Sequence, residues 1–166
     1  YRYHDHAHTA VPDMICEGEL RYLGFDKSFG RFEQGKYYAV NRFYLEKAMT
    51  ARELAKLIEE KLGIGHVRIA GETDKPGTKI SCCFGTPGHI ADELDECDFV
   101  LTGEVCEWST AEVARDYSQF GYNKAILVLG HIGSERAGMM YLKDIISGKF
   151  PFVPTEYIEC GEVYSY

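Results

Sequence analysis

The alternation of apolar and polar residues along the chain predicts a regular succession of helices and strands. Thr50 followed by Glu53 has the pattern of a capping box, so we expect a helix over residues 51–62 that ends at Gly63. From residue 66 onward the predicted order is strand, strand, helix, strand, helix, strand, helix, strand. This order is typical of an α/β fold with a mixed sheet, parallel in its centre and covered by helices.

The hydrophobic pattern and the turn residues also set the bounds of the expected elements. The predicted strands cover residues 1–8, 36–46, 66–70, 79–84, 98–102, 124–129 and 156–159. The predicted helices cover residues 12–23, 51–62, 87–95, 109–120 and 135–147, and a polar loop is expected over 26–35.

The length of the chain fits one domain. We interpret residues 1–166 as a single α/β domain that forms the C-terminal part of a longer chain, because the sequence opens at Tyr1 inside a predicted strand. Two small lobes, 1–63 and 64–166, are the alternative organisation.

A histidine and a glutamate follow the apolar strand 124–129. His131 lies between two glycines, and Glu135 comes four residues later. Ligands of α/β sheets bind outside the carboxyl ends of the strands. If a helix begins near His131, the imidazole and the carboxylate converge on one point, and such a pair suits a divalent metal ion. A solvated surface pair on a helix is the alternative.

A second source of histidine lies at the start of the sequence. His4, His6 and His8 occupy alternate positions and would project from one face of an extended strand. A polar strand face and the remnant of an expression tag are the alternatives. Two separate clusters with the same ligand chemistry make a metal centre the leading hypothesis.

Two further carboxylates follow the predicted strand 98–102. Glu104 and Glu107 would lie at the same edge of the sheet as His131, where a carboxylate can orient a water molecule or act as a general base. Carboxylates stabilised by the dipole at the start of a helix are the alternative.

The composition excludes several classes of protein. A formal net charge of −8 argues against binding to nucleic acid or to an anionic membrane, since both depend on clustered Lys and Arg. No stretch reaches the ~20 apolar residues that a membrane helix needs. The six cysteines lack metal-binding or redox spacing, so we expect reduced, buried thiols in a soluble, cytoplasmic protein.

Four segments together resemble a known family. They are residues 4–8, 102–108, 126–139 and 156–162, and the Gly-His-x-x-Ser-Glu run at 130–135 is the most specific of them. The chain resembles the NIF-three-like dinuclear-metal proteins, also called type 2 homologues of GTP cyclohydrolase I. The resemblance implies α/β lobes that hold a pair of divalent metal ions (zinc, iron or manganese) and assemble into hexamers.

The resemblance also implies roles for individual residues. His131 and Glu135 match the C-terminal ligand pair of the family, and His8 falls where many members have an aspartate ligand. The family likeness implies a two-metal hydrolase that acts on a nucleotide or a small phosphorylated compound. From its position after the strand, Glu107 is the expected base. A non-catalytic, metal-stabilised oligomeric scaffold or regulatory module is the alternative.

We also expect the chain to form a homo-oligomer. The chain is 13% aromatic, and we expect Tyr3, Tyr37, Phe43 and Trp108 to exceed what one small core can hold. Together with an uncovered edge strand at the start of the chain, this predicts burial against another copy, with a hexamer implied by the resemblance.

Overall fold

The computed structural model describes residues 2–25, 33–34, 40–86 and 90–165, with the backbone alone at 33–34. Its six-stranded sheet has the order β1-β2-β4-β5-β6-β3. The strands are β1 (Glu33–Gln34), β2 (Asn41–Thr50), β3 (Arg68–Gly71), β4 (Pro76–Cys83), β5 (Phe99–Thr102) and β6 (Ala125–Val128). The three central strands β4, β5 and β6 are parallel, whereas β2 and β3 pair antiparallel at either side. The predicted α/β class with a mixed, centrally parallel sheet is confirmed.

The helices in the described part of the chain pack on both faces of this sheet. They are α1 (His4–Thr9), α2 (Met14–Leu23), α3 (Ala51–Leu62), α4 (Glu93–Glu96), α5 (Glu112–Gln119) and α6 (His131–Lys149), and a π-helical turn at Glu107–Ala111 precedes α5. No helix among the described residues is long and apolar enough to cross a membrane.

The capping box predicted for the third helix is present. The Thr50 hydroxyl accepts a hydrogen bond from the Glu53 amide at 3.1 Å, and the Glu53 carboxylate accepts one from the Thr50 amide at 2.8 Å. Gly63 ends the helix in the left-handed conformation with φ of +64°. Two otherwise unpaired amides are thus satisfied, which fixes where α3 begins.

The core has two layers because the side chains of each strand alternate between the two faces of the sheet. Ile80 and Cys82 belong to the larger apolar cluster, which packs against α2, α3 and α6, while Cys83 and Val100 belong to the smaller cluster on the other face. Phe43, expected at a subunit contact, is only 1% exposed inside the larger cluster, so that prediction is wrong. Residues from both sides of position 63 share one sheet and one core.

Helices α2 and α6 cross at very short range because each carries a glycine at the contact. A Cβ added to Gly18 would lie 2.6 Å from the Cα of Gly138, and one added to Gly138 would lie 2.7 Å from the Cα of Ile15. Next to this crossing, buried Glu19 on α2 accepts hydrogen bonds from the amides of Ala137 and Gly138 at 2.7 and 3.3 Å. The crossing fixes α6 against the start of the chain.

Three predicted elements differ from the structure. The strand expected over 1–8 is wrong, since α1 occupies His4–Thr9. Within this helix, Ala7 and His8 are buried, whereas His4, Asp5 and His6 are exposed. The last long helix begins at His131 instead of 135, because Gly130 adopts φ of +85° and turns the chain directly from β6 into the helix.

The strand expected over 156–159 is also absent from the described residues, where 154–162 has no regular structure. The edge beside β6 is already occupied by β3, so this segment lies on α6 instead. Arg136 holds it there through ion pairs with Glu159 at 3.1 Å and Glu162 at 2.7 Å.

The remaining bounds differ in smaller ways. Most of the predicted loop 26–35, residues 36–39 of one predicted strand and residues 87–89 of one predicted helix lie outside the described residues. The described part of that helix is the single turn α4, Glu93–Glu96. Cys16, Cys82, Cys83 and Cys97 are buried free thiols, whereas Cys106 and Cys160 are exposed, so the expectation of buried thiols holds for four of the six.

Candidate metal centre

Three loops meet at the carboxyl ends of the parallel strands. The amide of Glu104 donates to the carbonyl of Gly85 at 3.0 Å, and the amide of Gly130 donates to the carbonyl of Gly103 at 3.0 Å. These bonds continue the β4-β5-β6 pairing one step beyond the sheet. The side chains that follow the strands are therefore held at one edge, as expected for a parallel sheet.

Two histidines approach the same oxygen of Glu135. The Nε2 atom of His8 lies 3.5 Å from Glu135 Oε1, and the Nε2 atom of His131 lies 3.7 Å from it. Both separations exceed an ordinary N–H···O hydrogen bond. They resemble the distance of about 3.4 Å between two ligand atoms that share one tetrahedral ion at bond lengths of about 2.1 Å. The predicted set of His8, His131 and Glu135 is thus brought together.

A carboxylate holds the other ring nitrogen of each histidine. His8 Nδ1 lies 2.9 Å from buried Asp13, and His131 Nδ1 lies 2.6 Å from Glu104 and 3.1 Å from the Thr86 hydroxyl. Metal-ligating histidines commonly donate their second N–H to a carboxylate, which fixes the tautomer and aims the free nitrogen at the ion. Here both histidines have that arrangement, and both aim Nε2 at Glu135.

The three side chains differ in exposure and in charge. His8 is only 7% exposed, and its hydrogen bond to Asp13 and its proximity to the Glu135 carboxylate raise its pKa to about 10, which favours the imidazolium form. Burial raises the pKa of Glu135, but the proximity of the His8 imidazole and the charge of His131 outweigh burial and leave that pKa below its usual value. A metal ion that binds to His8 must therefore displace a proton.

Gly85 provides the space beside these side chains. A Cβ at this position would lie 2.3 Å from Glu135 Oε1 and 3.6 Å from His131 Nε2, and the backbone adopts φ of +69°. Only glycine combines this conformation with this approach at low cost. The space that a side chain would fill adjoins the two atoms that an ion would bind.

The other residues singled out in the sequence have different positions. His4 and His6 are exposed on α1, and His4 contacts Asp5. Glu107 lies 3.1 Å from Arg68 on β3, so its role as a base stays a prediction. In the ranges that the structure describes, no group of three or more His, Cys, Asp or Glu side chains is arranged so that it could hold a metal ion without some movement of side chains.

Sequence reasoning missed the contribution of Asp13. This residue precedes α2, and its Oδ1 accepts hydrogen bonds from the amides of Ile15 and Cys16 at 2.8 and 3.0 Å while its Oδ2 contacts His8. An aspartate directly before an apolar helical pattern is a recognisable N-cap signal. The contact with His8 could not be recognised while residues 1–8 were taken as a strand.

Two cavities meet at Glu135, one on either side of α6. The larger, of about 720 Å³, lies between α6 and the first two helices and reaches His8. The smaller, of about 430 Å³, lies between α6 and residues 155–160 and reaches His131. Both cavities are lined by Met139 and Leu142, so they share the α6 surface that leads away from the candidate site.

Fold and site together define a class of protein, an α/β protein with histidine and carboxylate side chains gathered at the carboxyl edge of its parallel strands. Comparison with family models gives the family. The model for Duf34/NIF3 (NGG1p interacting factor 3) matches residues 8–160, and the chain belongs to this family.

Individual relatives agree with this assignment. The chain is 31% identical over 93 residues to the "GTP cyclohydrolase 1 type 2 homolog" of Clostridium perfringens, a match that covers 55% of this chain and 33% of the relative. The chain therefore spans about a third of the length of that protein.

Solved structures share the fold. The structure titled "protein ybgI, unknown function" has a TM-score of 0.65 at 21% identity and covers 86% of this chain and 54% of its own. HcgD from Methanocaldococcus jannaschii, in reduced form, has a TM-score of 0.56 at 12% identity, and the match covers 81% of this chain and 51% of HcgD. A Bacillus cereus protein related to NIF3 has a TM-score of 0.56 at 19% identity, and the match covers 68% of this chain and 30% of that protein.

Proposed function

We propose that this protein binds a divalent metal ion through His8, His131 and Glu135 and uses it in hydrolysis of a nucleotide or a small phosphorylated compound. The observation that carries the proposal is the approach of two histidine Nε2 atoms to one carboxylate oxygen, at 3.5 and 3.7 Å. A mixed set of imidazole and carboxylate ligands suits zinc, iron or manganese.

The surrounding residues fit this use. Asp13 and Glu104 hold the two imidazoles by Nδ1, and the absent side chain of Gly85 leaves room beside Glu135. A bound divalent cation would supply Lewis acidity and lower the pKa of water at the site. The protein would hold the ligands rigidly, because Asp13 is also fixed by the first turn of α2.

The substrate class is supported by a relative. The Clostridium perfringens protein is named as a GTP cyclohydrolase 1 type 2 homolog, and a purine nucleotide is therefore the first compound to test on this chain. Glu107, which contacts Arg68 at 3.1 Å, is proposed as the general base, and Glu104, which contacts His131 at 2.6 Å, is the alternative. Either carboxylate would accept a proton at the edge of the site.

The second candidate is a non-catalytic oligomeric scaffold in which the metal ion stabilises the fold. Large exposed aromatic side chains favour it, since Trp108, Phe120 and Phe152 are each at least 80% exposed. We propose a homo-oligomer in either case, with a hexamer as the expected form. Light scattering should give a multiple of 18.8 kDa.

Turnover separates the two candidates. Metal-loaded protein is incubated with GTP, ATP and the corresponding monophosphates, and the products are analysed by chromatography. The hydrolase proposal predicts turnover that requires metal, falls by about 10- to 100-fold in Glu135→Gln because a metal ligand is weakened, and is unchanged in the exposed control Glu112→Gln. A protein that binds metal and leaves all of these compounds intact would support the scaffold.

A further inference from the structure

The larger cavity is lined mostly by apolar side chains, together with two cationic ones. Its volume of about 720 Å³ lies within the 300–1,000 Å³ that small-molecule sites occupy. Its walls are mostly apolar. They are formed by Ala7, Met14, Ile15, Met139, Leu142, Ile145 and Ile146. One part of the cavity ends at His8 and Glu135, the proposed metal ligands.

The charges in this lining are predominantly positive. Arg2 and Lys149 both line the cavity, and Glu135 is the only carboxylate among the residues that form it. Glu135 is itself occupied by the two histidines. In a protein with a formal net charge of −8, such a lining is electrostatically more favourable for an anion than the average surface of the chain.

The two cations are available to a ligand. Among the described contacts, neither Arg2 nor Lys149 forms a hydrogen bond or an ion pair. The charge of Arg2 contributes to the lowered pKa of the exposed Asp5, but the main cause of that shift is the hydrogen bond between Asp5 and His4. An anionic group that enters the cavity would therefore meet cations without an existing close partner.

We propose that this cavity binds a small organic anion with an apolar body, which packs on Met139 and Leu142 while its charge lies near Arg2 and Lys149. The proposal rests on the proposed function, because the end of the ligand at His8 and Glu135 would be the reacting end. It adds the chemical class of the substrate and the residues that select it.

The burial of His8 at the end of the cavity favours a small molecule as the occupant over a second copy of the chain. His8 is only 7% exposed, so an occupant can contact only a small part of its side chain. A helix of another protein has a diameter of about 10 Å with its side chains, which is too wide to reach a side chain so nearly enclosed. A flexible organic molecule meets this requirement.

Two fluorescent probes test the charge preference directly. Anilinonaphthalene sulfonate is an apolar anion, and N-phenylnaphthylamine has a closely related ring system without the sulfonate. We expect one anionic probe to bind per chain, at least about 10-fold more tightly than the neutral probe, and we expect 0.5 M NaCl to weaken only the anionic one. Equal affinities for the two probes would overturn the proposal.

Matched lysines on α6 locate the anionic group. Lys149 lines the larger cavity, whereas Lys143 lines the smaller one. Lys149→Met should weaken the anionic probe by about 3- to 5-fold and the double variant with Arg2→Met by about 10-fold, while Lys143→Met leaves it unchanged. The neutral probe should respond to none of these changes. An equal effect of Lys143→Met and Lys149→Met would overturn the location.

A cavity-filling variant gives an independent check. Ile145 lines only the larger of the two cavities, and Ile145→Trp should displace both probes if the variant keeps the melting temperature of the parent protein. If it unfolds, Met14→Phe serves the same purpose, because Met14 also lines only this cavity. Probe binding that survives in every folded filling variant would overturn the proposal.

Failure of this proposal can be distinguished from failure of the proposed function. Metal affinity is measured on the same samples, and Lys149→Met should leave it unchanged while His131→Ala lowers it without affecting the neutral probe. Probe binding without metal binding would uphold the cavity and refute the metal site. Loss of probe binding as protein concentration and particle mass rise together would identify a second copy as the occupant and overturn the proposal.

Discussion

The hydroxyl of Ser134 accepts a hydrogen bond from the backbone amide of Gly85 at 3.0 Å, across 49 residues of sequence. The same hydroxyl donates to the carbonyl of His131 at 2.9 Å. A Cβ on Gly103 would lie only 2.6 Å from it, so the loop after β5 also packs on this atom. One fully buried hydroxyl therefore sets the distance between the loops and the first turn of α6, where both His131 and Glu135 are located.

Ser134→Ala should loosen the candidate site. The amide of Gly85 would lose its partner in a buried place, which we expect to cost about 1–3 kcal/mol of unfolding free energy. Because His131 and Glu135 would then be less well fixed, metal affinity should fall by about 10-fold. Chemical denaturation and metal titration measure the two effects. Ser147→Ala on the same helix is the control and should change stability by less than about 0.5 kcal/mol.

The effects of Ser134→Ala on stability and on metal affinity can be separated. If Ser134→Ala loses stability but retains the metal affinity of the parent protein, the hydroxyl serves the fold alone. If neither quantity changes, the hydrogen bond contributes nothing measurable.

Gly85 and Gly121 form a pair of positions that separates backbone strain from blockage of the site. Both have left-handed φ, +69° and +86°, but a Cβ on Gly121 meets nothing within 4 Å, whereas one on Gly85 lies 2.3 Å from Glu135 Oε1. Each alanine variant should lose about 1–2 kcal/mol of stability from backbone strain. Only Gly85→Ala should also abolish metal binding in a titration. Equal metal affinity of the two variants would show that the space beside Glu135 is not used.

Buried Glu19 should make stability depend on pH. Burial raises its pKa to about 8 from 4.5, even though the amides of Gly138 and Ala137 donate to it. The folded state therefore binds a proton that the unfolded state releases, so this contribution to stability is complete below pH 4.5 and is lost as pH rises through about 8. Its second oxygen, Oε2, has no hydrogen-bond partner among the described groups.

Glu19→Gln removes this titration while it keeps an acceptor for the two amides. We expect the variant to be more stable than the parent protein at pH 8 by about 1–3 kcal/mol, with the difference disappearing near pH 5. Thermal or urea unfolding at several pH values measures it, and Glu60→Gln on the exposed side of α3 is the control. A constant difference at all pH values would mean that the charge of Glu19 is not the cause.

The parts of the fold that follow from local chemistry could be predicted from the sequence. The capping box of Thr50 and Glu53 and the glycine at position 63 fixed α3 to the residue, and the apolar runs gave β5 and β6 to within a residue or two. The predicted start of α6 was displaced by one turn, because the sequence pattern does not show that Gly130 adopts a positive φ and turns the chain directly from β6 into the helix.

The candidate site could be predicted in part. The spacing of His131 and Glu135 indicated their convergence, since both lie on one helical face. The approach of His8 depends on α1 being a helix that packs on α2 and α6, and the alternating histidines favoured a strand instead. Such long-range packing decides between two local conformations that the sequence pattern alone leaves close in energy. The same holds for residues 154–162, which lie on α6 because β3 already covers the sheet edge.

Metal content after equilibrium dialysis shows whether His8 and His131 are metal ligands. Parent protein, His131→Ala, His8→Ala and the control His6→Ala, which removes an exposed histidine from α1, are dialysed against Zn²⁺ and against Mn²⁺ and analysed by elemental analysis. We predict at least one bound ion per chain in the parent protein and in His6→Ala, and an affinity at least about 10-fold lower in His131→Ala and His8→Ala, all with native circular dichroism. Equal metal content in folded His131→Ala and parent protein would contradict the account.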